Sequence, residues 1–109
     1  MSFNDRLGMQ PRPGGGVFLD AASEHEVIPG TVHFAVLTTL GEVAAASAVA
    51  APVVPVDVQV QLLRRAHTGR IEAIPTVTKN GRSLAFARSA IVQDGDQVAE
   101  VHVTFAKLG

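Results

Sequence analysis

The chain has 109 residues, a formal net charge of -1, 47% hydrophobic and 17% charged residues, and five Phe as its only aromatic side chains. That length supports one core, hence a single domain over 1–109, and the near-neutral charge removes any overall pull toward nucleic acid or an anionic membrane. The absence of Cys excludes a disulfide framework and thiolate chemistry, and a core so poor in rings has to be built from Val, Leu, Ile and Ala.

The opening "MSFNDRLGMQ" has neither a basic n-region nor an apolar h-region, so no secretory signal is expected and the cytoplasm is the expected compartment. "RPGGG" at 12–16 reads as a turn before a first strand in "VFLDAASEHEV", where Val17, Leu19 and Ala21 alternate with Phe18 and Asp20. "IPGTV" at 28–32 reads as a loop, and Phe34 to about Ala50, free of Pro and rich in Ala and Leu, as the only long helix. "VAAASAVAAPVVPV" (43–56) is interrupted by Pro52 and Pro55 and falls short of the roughly 20 residues that span a bilayer, so it belongs to a core and not to a membrane. In "VPVDVQVQLL" the period changes, with Val54, Val56, Val58, Val60 and Leu62 expected on one strand face and Asp57, Gln59 and Gln61 on the other. "HTG" (67–69), "KNG" (79–81) and "DGD" (94–96) are turn signals between β-rich runs at 70–78, 82–93 and 97–106. The order strand, loop, helix, then four strands predicts an α+β fold in which one buried helix lies against one curled antiparallel sheet of about five strands.

One residue is out of place in that helix. From 34 to 50 the only non-apolar side chains are Thr38, Thr39, Glu42 and Ser47, so the helix is expected to be largely enclosed and to take Glu42 with it. A carboxylate in such surroundings costs several kcal/mol unless it is paired, and its pKa rises. Thr38 and Thr39, four and three residues earlier, share its face and are candidate hydrogen-bond partners. Two readings stand side by side: an acid that reaches solvent or an Arg across an interface, and a general base or nucleophile in an apolar cleft.

"PGTVHFAVLTTLGEVAAASA", with "VDVQVQLLRRAHTGRIEAIPTVTKNGRSLAFARSAIVQDGDQVAEVHVTFAK" after it, resembles the hotdog-fold thioesterases, in particular the PaaI-like and 4-hydroxybenzoyl-CoA thioesterase subgroups. That family places an Asp or Glu nine positions after a His, and His33 and Glu42 stand at that spacing. The resemblance implies a hotdog fold, one long central helix wrapped by the sheet, and hydrolysis of a small acyl- or aryl-CoA. Glu42 would then be base or nucleophile, His33 would orient the loop before the helix, and a backbone N–H at the helix start, that of Ala35, would hold the developing oxyanion. Asp57 and "LLRRA" at 62–66 are similar to the acid and the basic end of the family's next strand. Phe34 and Ala35 replace the family's two Gly, so the Phe34 ring is expected to narrow the acyl pocket, with Thr38 a further substrate contact. The alternative reading is a non-catalytic hotdog protein that binds acyl-CoA.

Six of the nine Lys and Arg lie between 64 and 88, where Glu72 is the only acid. They are either solvated strand ends or, given the resemblance, a site for the phosphates of coenzyme A made by Arg64, Arg65 and Arg82, with Ser83 against the pantetheine arm. Phe86 is the only aromatic residue among them and no nucleic-acid-binding signature is present, so nucleic acid is not an expected partner. "GGG" lacks a following "GK[ST]", no "GxSxG" is present, and the four His have no metal-ligand spacing, so neither a P-loop nor a serine hydrolase nor a metal is expected, and coenzyme A enters only as part of the substrate. A helix with so little polar surface cannot be covered by one short sheet, which predicts a homodimer or homotetramer.

Overall fold

In the computed structural model, which describes residues 2–109, a short helix α1 (Phe3–Leu7) opens the chain, its start closed by reciprocal hydrogen bonds between Ser2 and Asp5. Strands β1 (Gln10–Pro11) and β2 (Val17–Ala21) follow, then a 3-10 turn at Ser23–His25 and the strands β3 (Glu26–Ile28) and β4 (Thr31–Val32). Helix α2 (Phe34–Val49) leads to the long strands β5 (Val53–Leu62), β6 (Gly69–Asn80), β7 (Leu84–Gln93) and β8 (Asp96–Lys107). Among the described residues no helix is long and apolar enough to cross a membrane.

One antiparallel sheet has the order β1-β2-β6-β7-β8-β5, and β3 pairs with β4 apart from it. The sheet thus has six strands where the sequence predicts about five. The extra strand, β1, is two residues long, too short to show a period. "IPGTV" is likewise no open loop: Ile28 pairs with Thr31, and the Glu26 carboxylate closes the Pro29–Gly30 turn by accepting the Gly30 N–H at 2.7 Å. The β7–β8 turn has Asp94 and Gly95 both at positive φ, 53° and 81°, the geometry a two-residue hairpin needs.

Alternation along the central strands puts Ala85, Ala87, Ser89 and Ile91 of β7 and Ala99, Val101, Val103 and Phe105 of β8 on the face that α2 covers. Helix residues Val36, Leu37, Leu40, Gly41, Ala44 and Ala45 meet them. The approach is close because small residues face each other: a Cβ on Gly41 would lie 2.5 Å from Val101 Cγ2. Buried Ser89 donates its hydroxyl to the Gly41 carbonyl at 2.8 Å, which satisfies the one and fixes the other's position along the sheet.

Two expectations fail at the margin of this core. Val54, Val56, Val58, Val60 and Leu62 do not share a face. The register of β5 against β8 shifts between Pro55 and Asp57, so Val54 stands opposite Ala106 on the outer face, while Val58 and Val60 stand opposite Val103 and Val101 on the inner one. The bulge absorbs one residue and flips the alternation. Nor is α2 enclosed: the sheet covers one side only, leaving Phe34, Ala35, Ser47 and Ala48 exposed and Thr38, Thr39, Glu42, Val43 and Ala46 half-buried.

Candidate active site at the start of the long helix

The start of α2 is held from three directions. The Val32 N–H donates to the Ala66 carbonyl at 2.8 Å and the His33 N–H to that of His25 at 2.9 Å, which locks β4 to the segment after β5 and to the 3-10 turn. His33 is the N-cap, with extended backbone, and its Nδ1 accepts the Ala35 N–H at 2.9 Å, so the neutral ring carries its proton on Nε2. The His33 and Phe34 rings stack with centroids 4.7 Å apart.

Beside this helix start opens a cavity of about 450 Å³. Val27, Val32, Phe34, Leu37, Leu62 and Leu63 make it apolar, Thr31 also lines it, and Arg64 and Arg65 bring its charge. Its size and lining suit a small organic group with a polar head. Arg64 also pairs with Asp96 at 3.2 Å, while among the described residues no acid lies within 4.0 Å of Arg65. Thr31 Oγ1 is the one buried side-chain polar atom without a hydrogen-bond partner among the described residues.

Sequence reasoning places the oxyanion donor at Ala35, but the His33 side chain occupies that N–H. The amide that has no acceptor among the described residues is the first of the helix, that of Phe34. The Phe34 ring lines the cavity yet is 57% exposed, so removing it costs less than the loss of a buried ring.

Glu42 lies about 12 Å further along the helix axis at 1.5 Å per residue, on the flank turned from the sheet. It is half-buried, and burial pushes its pKa up. Neither Thr shares its proton: Thr38 donates to the Phe34 carbonyl at 2.9 Å and Thr39 to that of Ala35 at 2.8 Å, the usual back-bonding of hydroxyls inside a helix. Among the described residues the carboxylate has neither hydrogen bond nor ion pair. An unpartnered carboxylate with a raised pKa is suited to accept a proton from water near neutral pH.

The remaining predicted residues do not converge within one chain. Asp57 stands opposite Thr104 on the outer face of the sheet, away from the cavity, where it accepts from Gln59 Nε2 at 3.2 Å. The parity of β5 past its bulge puts it there. Arg82 and Ser83 are exposed in the β6–β7 turn, and the Ser83 carbonyl accepts the Lys107 N–H. Since β5 and β8 run antiparallel, that turn is at the Val53 end of β5 and the cavity at the Leu62 end. Thr31, Leu62 and Leu63 are cavity residues that sequence reasoning missed. The only trace of the first was its place in "IPGTV", read as a loop.

The family of acyl-CoA thioesterase N-terminal domains matches residues 16–106. Among solved structures, a variant of the phenylacetic acid degradation protein PaaI from Thermus thermophilus is similar over 97% of this chain and 98% of its own, with 26% identity and a TM-score of 0.88. Zebrafish thioesterase superfamily member 2 is similar over 99% of this chain and 87% of its own, with 25% identity and a TM-score of 0.85. A Bacillus halodurans protein solved with CoA shares the fold over 94% of this chain and 72% of its own, with a TM-score of 0.86 at 16% identity. No curated protein matches the sequence. The helix on its antiparallel sheet is the fold of the hotdog thioesterases, and the chain belongs to the acyl-CoA thioesterase domain family.

Proposed function

We propose that the protein hydrolyses a small acyl- or aryl-CoA in the cytoplasm, as a PaaI-like member of its family. The observation that carries this is the unpartnered, half-buried Glu42 on the helix whose first amide stands open beside an apolar cavity. In this reading the acyl group enters the cavity and the Phe34 N–H receives its carbonyl oxygen. Glu42 takes a proton from water as the water oxygen bonds to the carbonyl carbon. The tetrahedral intermediate then collapses, the C–S bond breaks, and the proton returns to the departing thiolate. Arg64 and Arg65 receive the phosphates of the coenzyme.

The two halves of this site are brought together by a second copy. Beyond its bulge β5 pairs only with β8, leaving the other edge of Asp57–Leu62 unpaired among the described residues, with Val58 and Leu62 40% and 58% exposed. Antiparallel pairing of this edge with itself creates a two-fold axis across which the helices run in opposite directions. Glu42 of one copy then faces the helix start of the other, and the Val53 end of the sheet, with Arg82, approaches the other copy's cavity. A two-fold dimer is the minimum assembly, and a tetramer is compatible with it.

The competing reading, a non-catalytic acyl-CoA binder, is favoured by the Phe34 ring at the cavity and by the capture of the Ala35 amide by His33. A panel of acyl-CoAs with free thiol as the readout decides between them. Hydrolysis of a short or flat acyl-CoA supports the enzyme, whereas coenzyme binding without thiol release supports the binder.

A further inference from the structure

We propose that the Thr31 hydroxyl is a second hydrogen-bond donor to the thioester carbonyl, making Thr31 a catalytic residue beside the Phe34 amide. The inference rests on the thioesterase reading above and starts from a shortage of donors. An oxyanion is held well only by several preorganised donors, yet of the first two amides of α2 one is taken by His33 Nδ1. That leaves the Phe34 N–H alone.

Thr31 lines the same cavity as Phe34, three residues before it, and its Oγ1 is the orphan among buried side-chain polar atoms of the described residues. A hydroxyl buried without a partner opposes folding, whereas Val in its place would keep the shape without that cost. The backbone around it is fixed: Thr31 pairs with Ile28, Glu26 closes the turn before it, and the next residue bonds to Ala66. Only the side chain has freedom. The residue is half-buried and lines the cavity, and rotation about χ1 is the movement by which its hydroxyl would turn to a bound carbonyl. Without ligand the hydroxyl is stowed and unpaired. With a thioester in the cavity it gains the acceptor that the protein does not provide, and the bond strengthens as charge develops on the oxygen.

The test uses Thr31→Val and Thr31→Ser in the full chain. The Val variant is expected to melt no lower than the parent and to lose about 10²-fold in turnover, as removal of one oxyanion donor does, with a rise in the Michaelis constant of no more than about 10-fold, while Ser restores most of the rate. Two CoA analogues that cannot be hydrolysed isolate the carbonyl: a ketone with CH₂ in place of sulfur, and a thioether without the carbonyl. Thr31→Val should bind the ketone about 10-fold more weakly and the thioether as the parent does. Equal turnover of parent and Val variant, equal weakening for both analogues, or a lower melting temperature, which would reveal a structural partner, each overturns the proposal while leaving the thioesterase reading intact. A parent that hydrolyses no acyl-CoA and binds neither analogue overturns both.

Discussion

The two flanks of α2 are built to different standards. Toward the sheet the helix is finished, with Leu40 fully buried, Gly41 against Val101, and the Gly41 carbonyl paired with Ser89. Away from the sheet it offers Ala35, Thr38, Thr39, Glu42 and Ala46, with the hydroxyls turned back onto the helix and the carboxylate unpaired. Adjacent residues Gly41 and Glu42 thus face opposite ways: the first lets the helix sit close against the sheet, and the second projects a half-buried carboxylate from its other side. In the proposed dimer, a second copy covers this flank.

The largest expected effect breaks the finished flank. Leu40→Ala opens a cavity between helix and sheet and is expected to cost about 2–5 kcal/mol, read by denaturant unfolding. The next sharpens the contrast. Glu42→Gln is expected to leave stability unchanged or raise it, because it removes a partly desolvated charge, while lowering turnover by about 10²-fold or more. Stability and rate should therefore separate at Glu42 and not at Leu40.

The pH dependence of Glu42 carries the same sign. Burial raises its folded pKa above the unfolded value, so ionisation favours unfolding. Stability from this group is full below the ordinary carboxylate range and falls as pH climbs to the raised folded value. A rate that needs the carboxylate rises toward that value, so the acid limb of kcat/KM should lie above the ordinary range in the parent and vanish in Glu42→Gln. A limb at the ordinary carboxylate pKa would separate the rate from the buried acid.

The smallest effect concerns the basic residues. Replacing Arg64, Arg65 and Arg82 by Ala together is expected to raise the Michaelis constant several-fold and weaken its salt dependence, with kcat little changed. Retention of both values would leave the cluster as surface.

Much of this was legible in the sequence because it is periodic. The unbroken run from Phe34 marked the helix, and the turns at 67–69, 79–81 and 94–96 marked the long strands to within a few residues. What could not be read was local or non-periodic. The bulge at Pro55–Asp57 inverts a face without altering the pattern that suggests it, and two-residue strands have no period at all. At the site, Glu42 stood out because a lone charge in an apolar run is conspicuous. Thr31 did not, since an unpaired hydroxyl is a property of its surroundings. The capture of the Ala35 amide by His33 depends on a ring orientation that no spacing encodes.

The central claim is that Glu42 and the helix-start amide of one site come from two copies, and mixing two disabled variants tests it most directly. Glu42→Gln removes the base. Phe34→Pro removes the free N–H at the first helical position, where Pro is well tolerated and where His33 already has the extended backbone that a following Pro requires. Each variant alone should keep about 1% or less of the parent's activity on the best acyl-CoA. After the two are unfolded together and refolded, a site shared between copies predicts activity returning to about a quarter of the parent's, because half of the dimers are mixed and each carries one intact site. Two disabled variants that gain no activity on mixing, with mixed dimers demonstrably formed, would place the base and the amide of each site in the same chain and contradict the account.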